Sequence, residues 1–125
     1  MGERKLPGVG AEDIGRCAYG VFRRGGEFIG KSIGVAGEHL TGTEMAEKLG
    51  RALKRPVRYN PVSPAVFRGF GFPGAEELGN MYQFYHDFND DVCRLRDPAV
   101  SRWLNPALKK FDQWLAENGG RIPLT

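Results

Sequence analysis

The residues best suited to holding an anion are Gly8, Gly10 and Gly15 in the run Pro7-Gly8-Val9-Gly10-Ala11-Glu12-Asp13-Ile14-Gly15, because glycines ahead of a helix start leave backbone amides open to phosphate. A GxGxxG dinucleotide fingerprint would need glycine where Asp13 stands and a hydrophobic strand ahead of it. Glu12 and Asp13 also place carboxylates at the positive end of the helix dipole, where the phosphate would sit. The run therefore reads as a structural helix start, with no cofactor-binding residue assigned.

Other reactive side chains lack the partners their chemistry needs. His86-Asp87 has the composition of a base and its orienter, but adjacent residues leave a helix in different directions, so His86 reads as a surface or groove histidine. His39 is far from His86 in sequence, and neither has a neighbour at metal-ligand spacing. Asn89-Asp90-Asp91 lacks the alternating oxygen ligands and distant Glu of a calcium loop and reads as a solvated turn at a helix end. Ser32, Ser63 and Ser101 occupy no GxSxG elbow. Cys17 and Cys93 form no CxxC pair; a disulfide between them stays open, with reduced thiols in the cytoplasm the simpler reading. No catalytic residue and no metal ligand is assigned.

Aromatic side chains are denser than the rest of the chain explains. Core packing accounts for most of the series from Phe67 to Phe88, yet an aromatic-lined groove is also how apolar ligand pockets and partner surfaces are built. The candidate ligand or partner surface comprises Phe70, Phe72, Met81, Tyr82, Phe84, Tyr85, His86 and Phe88.

Helices must position most of these groups. Ile14, Cys17, Ala18, Val21 and Phe22 recur at steps of three and four, predicting a helix over residues 12–24 that Gly25-Gly26 ends. Thr41 followed by Glu44 is a capping-box signature, and the helix it starts carries Met45, Leu49, Ala52 and Leu53 on one face until Pro56 forbids continuation. Ser63-Pro64, Asp97-Pro98 and Asn105-Pro106 each place a capping side chain before a proline, predicting three further helix starts. The longest helix of the second half is expected over residues 74–88, and the last over residues 106–118, closed by Gly119-Gly120. Short strands are expected at residues 28–36 (FIGKSIGVA) and 57–60. The expected fold is α+β and mostly helical, with four or five helices around one or two short strands and without the succession of buried strands that a parallel sheet needs.

Composition bounds the function classes. At 125 residues the chain can enclose one modest core, which predicts a single domain over residues 1–125. A net charge of +3, with bases and acids interspersed, argues against nucleic acid, and the clusters Arg23-Arg24 and Lys48 to Arg58 fall where helix ends favour cations. No apolar window is long enough for a membrane span or a signal peptide, so no membrane partner is expected.

Several segments in order resemble a known family. Ala11-Glu12-Asp13-Ile14-Gly15, then Gly30-Lys31-Ser32-Ile33-Gly34-Val35, then Leu40-Thr41-Gly42-Thr43-Glu44-Met45-Ala46 are similar to the C-terminal part of atypical short-chain dehydrogenases. Gly71-Phe72-Pro73-Gly74-Ala75-Glu76-Glu77-Leu78-Gly79-Asn80-Met81 with Phe84-Tyr85 resembles a more specific segment of NmrA-like proteins, and Leu104-Asn105-Pro106 with Phe111-Asp112-Gln113-Trp114-Leu115 resembles the closing helix of that family. The resemblance spans nearly the whole chain and implies the smaller, substrate-side lobe of a Rossmann-type protein. It implies NADP only for full-length relatives, whose GxxGxxG loop and Tyr and Lys catalytic groups lie ahead of the matching part. On that basis the chain is expected to be a non-catalytic binding or regulatory module. The alternative is a substrate-domain piece of an NAD(P)H-dependent oxidoreductase whose nucleotide half is supplied separately. A protein partner, or self-association through the face that the Rossmann domain covers in relatives, is expected to bury the apolar surface of the lobe.

Overall fold

The computed structural model describes residues 1–124. Among them, strands β1 (Leu6–Gly8) and β2 (Glu38–Leu40) accompany helices α1 (Ala11–Arg23), α2 (Gly42–Leu53), α3 (Pro64–Arg68), α4 (Ala75–Asp87), α5 (Asn89–Arg94), α6 (Pro98–Leu104) and α7 (Phe111–Asn118). The fold is α+β and mostly helical, as the periodicities indicate. Its helices exceed the four or five expected, because several are only one or two turns long.

The strands lie elsewhere than the β-branched runs suggest. β1 and β2 pair antiparallel, with Leu6 opposite Leu40, Pro7 opposite His39 and Gly8 opposite Glu38. Residues 28–36 form no strand: Gly25–Phe28 is a 3-10 turn, Gly30 takes φ +72°, and the rest lies extended with no ladder beside it. The Ala36 N–H donates instead to the buried Ser101 hydroxyl at 2.9 Å, and Gly34 presses so closely on the Leu95 carbonyl that a Cβ would fall 2.1 Å from its oxygen. Residues 57–60 likewise pair with nothing; the Tyr59 ring packs flat on Gly42, where a Cβ would lie 2.6 Å from it.

Helix starts follow their capping chemistry with one exception. Thr41 Oγ1 accepts the Glu44 N–H at 3.1 Å, and the Glu44 carboxylate accepts the Thr41 N–H at 2.8 Å, a complete capping box. Ser63 and Asp97 cap α3 and α6, each with proline at the first helical turn. Asn105-Pro106 starts no helix. The Asn105 side chain is drawn to Asp13 at 2.9 Å while its oxygen accepts the Ala107 N–H at 3.2 Å, closing a turn that ends in extended backbone. α7 therefore begins at Phe111, with the Lys110 N–H donating to Gln113 at 2.9 Å.

The acidic run at 89–91 also departs from expectation, since it opens α5 in place of a solvated turn. Asn89 is buried and clamps the backbone of Lys5 on both sides, accepting its N–H at 3.2 Å and donating to its carbonyl at 2.7 Å. Val92, 2% exposed, fills the space beneath. Those contacts join α5 to the start of β1.

The Glu44 carboxyl is held below its ordinary value, chiefly by the Thr41 N–H it accepts. A depressed carboxylate stabilises the fold above its unfolded pKa and loses that contribution as pH falls through the folded value. Thr41→Ala is expected to cost about 1 kcal/mol near neutral pH. Glu44→Gln, which cannot titrate, should fall short of wild type in urea midpoint at about pH 7 and lose that deficit by about pH 3. A deficit that persists unchanged in acid would remove the carboxylate from the account.

Candidate functional site

The aromatic surface singled out in the sequence lies on two different faces of α4. Toward α3, Ala75 and Gly79 are buried, and a Cβ on Gly79 would meet Arg68 Cγ at 2.5 Å, so the helices touch at glycine. Arg68 reaches over the crossing to Asn80 at 3.2 Å and Gln83 at 2.8 Å. Beside it, Phe67 is a hub for Phe70, Phe72 and Tyr82, with ring centroids 5.4, 5.7 and 5.5 Å away. Those three therefore pack on Phe67, and Tyr82 also lines a small cavity of about 250 Å³. His86 lies on this side of α4 too, its Nδ1 3.0 Å from Asp87 Oδ1, in a shallow depression it shares with Arg68 and Met1.

Met81, Phe84, Tyr85 and Phe88 point the other way. They follow one another at steps of three, one and three, which keeps them on one arc of the helix. Phe84 and Phe88 are each 53% exposed, their rings tilted against each other with centroids 4.9 Å apart, and Leu78 extends the arc at 37% exposure. Tyr85 is partly covered by the Arg96 guanidinium, 5.5 Å above its ring. Acidic residues surround this arc: Glu76 and Glu77 in the first turn of α4, Asp90 and Asp91 in that of α5. A helix with one apolar face against α3 and another in solvent has more apolar surface than its own fold uses.

Asp13 and His39 serve structure. Asp13 is 2% exposed, and its oxygens accept from Asn105 Nδ2 at 2.9 Å, the Lys109 N–H at 3.1 Å and Arg16 at 3.2 Å. His39 Nε2 lies 2.7 Å from the Arg96 carbonyl, tying β2 to the segment between α5 and α6. Cys17 and Cys93 are free thiols, so the disulfide left open by the sequence does not form. Burial raises both thiol pKa values, with Asp13 adding to the effect at Cys17 and Asp90 at Cys93. Among the described residues no three His, Cys, Asp or Glu gather as metal ligands.

A second bare surface, which composition did not disclose, runs along α1. Its inward side carries Asp13, Cys17 and Gly20. Its outward side carries Ile14 at 48% and Phe22 at 82% exposure, continued past the helix by Ile29 at 82%. The signal was in the spacing, which put Ile14, Ala18 and Phe22 on one line; spacing alone does not say whether a line faces in or out.

Against this geometry, the model of the NmrA-like family matches residues 2–115. The chain belongs to the NmrA-like family. No helix of this NmrA-like chain is long and apolar enough to cross a membrane among the described residues.

The cofactor that family membership brings to mind does not fit the strand-to-helix turn of this NmrA-like chain. β1 does precede α1, contrary to the sequence reading, but it belongs to a two-stranded antiparallel ladder and not to a parallel βαβ unit. The first turn of α1 presents Glu12 and the fully engaged Asp13 where a pyrophosphate would need bare amides. The neighbouring cavity of about 350 Å³ is walled mainly by Leu6, Leu40, Met45, Phe111 and Trp114, with Glu38, Lys109 and Lys110 also in its lining.

Proposed function

We propose that this chain is a non-catalytic NmrA-like binding module that engages a protein through the outward arc of α4. The observation that carries the reading is the Phe84–Phe88 pair, half exposed on a helix whose opposite face is already packed. Its surroundings add specificity: the acids of α4 and α5 around the aromatic centre suit a partner with an apolar knob ringed by Lys or Arg. The roles of Asp13 and His39 as structural anchors agree with a module that binds and does no chemistry.

Two measurements test it. NADPH titrated into the chain should give no saturable change in tryptophan fluorescence at micromolar concentrations, and micromolar binding would overturn the non-catalytic reading. The double variant Phe84→Ser/Phe88→Ser should keep the helical circular dichroism of wild type yet lose a protein crosslinked to wild type in extracts of its own cells. An identical crosslinking pattern for both would remove α4 from the proposal.

A second reading, a substrate-side lobe completed by a separate nucleotide-binding chain, draws on the extended residues 31–36, whose backbone has no strand beside it. It requires NADPH oxidation to appear only when a chain carrying GxxGxxG after a strand is added.

A further inference from the structure

We infer that the cavity between the β1–β2 ladder and α7 holds a flat aromatic molecule bearing one carboxylate, received by the Trp114 indole N–H and the Lys110 ammonium. This site is separate from the α4 surface proposed above. Alternation along the two strands builds its floor: Leu6 lies opposite Leu40 and Gly8 opposite Glu38, and all four line the cavity, whereas the intervening pair Pro7 and His39 does not. Met45 of α2 closes one side, Gly10 and Ala11 at the start of α1 a second, and Phe111 and Trp114 of α7 a third. The Phe111 and Trp114 rings are within 15° of parallel, with centroids 6.2 Å apart, so a flat molecule laid along one plane lies along both. Glycine at position 10 leaves the polar edge of the indole open, since a Cβ there would fall 3.3 Å from Trp114 Cδ1 and 3.8 Å from Nε1. At about 350 Å³ the space is at the small end of ligand cavities, the scale of a single substituted ring or a fused pair.

The charged groups of the lining and their neighbours leave one positive charge uncompensated. Glu38 accepts the Phe111 N–H at 3.1 Å and lies 3.6 Å from Lys48, which also pairs with Asp112, and Arg51 lies 3.8 Å from Asp112. Those acids and bases balance. Lys109 is paired with Glu117. Lys110 is exposed and has no carboxylate within ion-pair distance among the described residues. Both backbone groups of Trp114 are bonded, its N–H to the Lys110 carbonyl at 3.1 Å and its carbonyl to Asn118 at 3.0 Å. Its indole N–H donates to nothing among the described residues and is not sealed from solvent. A free cation and a free N–H one helical turn apart, beside an apolar floor, match a carboxylate carried on a ring. A neutral ring would engage the N–H alone, and a cationic one would be repelled by Lys110.

Heteronuclear NMR of the isotope-labelled chain tests the site directly, with Trp103→Phe assigning the indole signals. Cinnamate should move the Trp114 indole signal and not that of Trp103, saturating with a dissociation constant of about 0.1–1 mM. Hexanoate, which has the charge without the ring, and cinnamyl alcohol, which has the ring without the charge, should each bind about fivefold more weakly. Cinnamylamine should be weaker than either. Lys110→Gln should weaken cinnamate about fivefold, to the level of the alcohol, while leaving the alcohol and the circular dichroism unchanged. Met45→Trp, which fills the cavity, should abolish binding of both. No saturable movement of the Trp114 signal, equal movement of Trp103, or cinnamylamine or hexanoate binding as tightly as cinnamate would each overturn the inference. So would a loss in Lys110→Gln shared equally by the acid and the alcohol.

Discussion

Asp13→Ala is expected to lower the unfolding free energy by about 3 kcal/mol, because the donors it leaves behind are inside the protein. Asn105, 5% exposed, loses the acceptor for its Nδ2, and the Lys109 N–H loses its partner among the described residues. Arg16 matters less, since its side chain is 45% exposed and also reaches Glu12. In urea the midpoint should fall by about 1–2 M with no change in slope. Asp13→Asn should recover only part of the loss: it keeps the volume but replaces one acceptor oxygen with a donor facing other donors. Glu12→Ala, in the same turn but 79% exposed at the side chain, should stay within about 0.5 kcal/mol of wild type. Loss of less than about 1 kcal/mol in Asp13→Ala would mean that water replaces the carboxylate and that the hub is not a buried network.

That hub also explains which parts of the fold were legible in the sequence. α1, α2, α4 and the starts of α3 and α6 follow from rules that act within a few residues: apolar spacing, the Thr41–Glu44 box, and proline after a capping side chain. The failures all involve partners distant in sequence. Asn105-Pro106 has the same local grammar as Asp97-Pro98, and its oxygen likewise accepts the N–H two residues on, but the chain that follows is held extended where the Lys109 N–H donates to Asp13, 96 residues away. Residues 28–36 have strand composition but meet Ser101 and Leu95 in place of another strand. The strand at Leu6–Gly8 is short and carries proline and glycine, so no propensity marks it; it exists because β2 lies opposite and Asn89 grips Lys5.

The candidate surface was legible in composition but not in arrangement. Aromatic density singled out residues 70–88, yet Phe67, absent from the candidate set, is the residue that gathers Phe70, Phe72 and Tyr82. Helical periodicity separates the faces of an element without saying which face finds a neighbour. On α1 the face turned inward is the one with Asp13, Cys17 and Gly20, and the more apolar line is left in solvent. An inversion of that kind costs about 25 cal/mol for each Å² of apolar surface left wet, which is the driving force available to any partner that covers it.

Gly20→Ala should destabilise the chain by about 2 kcal/mol, against the sign that helix propensity alone predicts. In an open helix interior, glycine to alanine gains about 1 kcal/mol. At Gly20, however, the added Cβ would lie 2.3 Å from the Leu104 carbonyl oxygen and 3.0 Å from its carbon, both backbone atoms that no rotamer change can move. α1 and α6 would have to separate, exposing Cys17, now 1% exposed, and stretching its contact with the Ser101 carbonyl. Gly15 is the internal control, because it lies in the same helix with nothing within 4 Å of the new atom. Gly15→Ala should therefore stabilise by about 0.5–1 kcal/mol. The two substitutions are chemically identical and differ only in which side of α1 they touch, so opposite signs would establish which side packs on α6. Equal signs would mean that the helix is rotated from the orientation described, and that the exposed line of Ile14, Ala18 and Phe22 faces the interior instead.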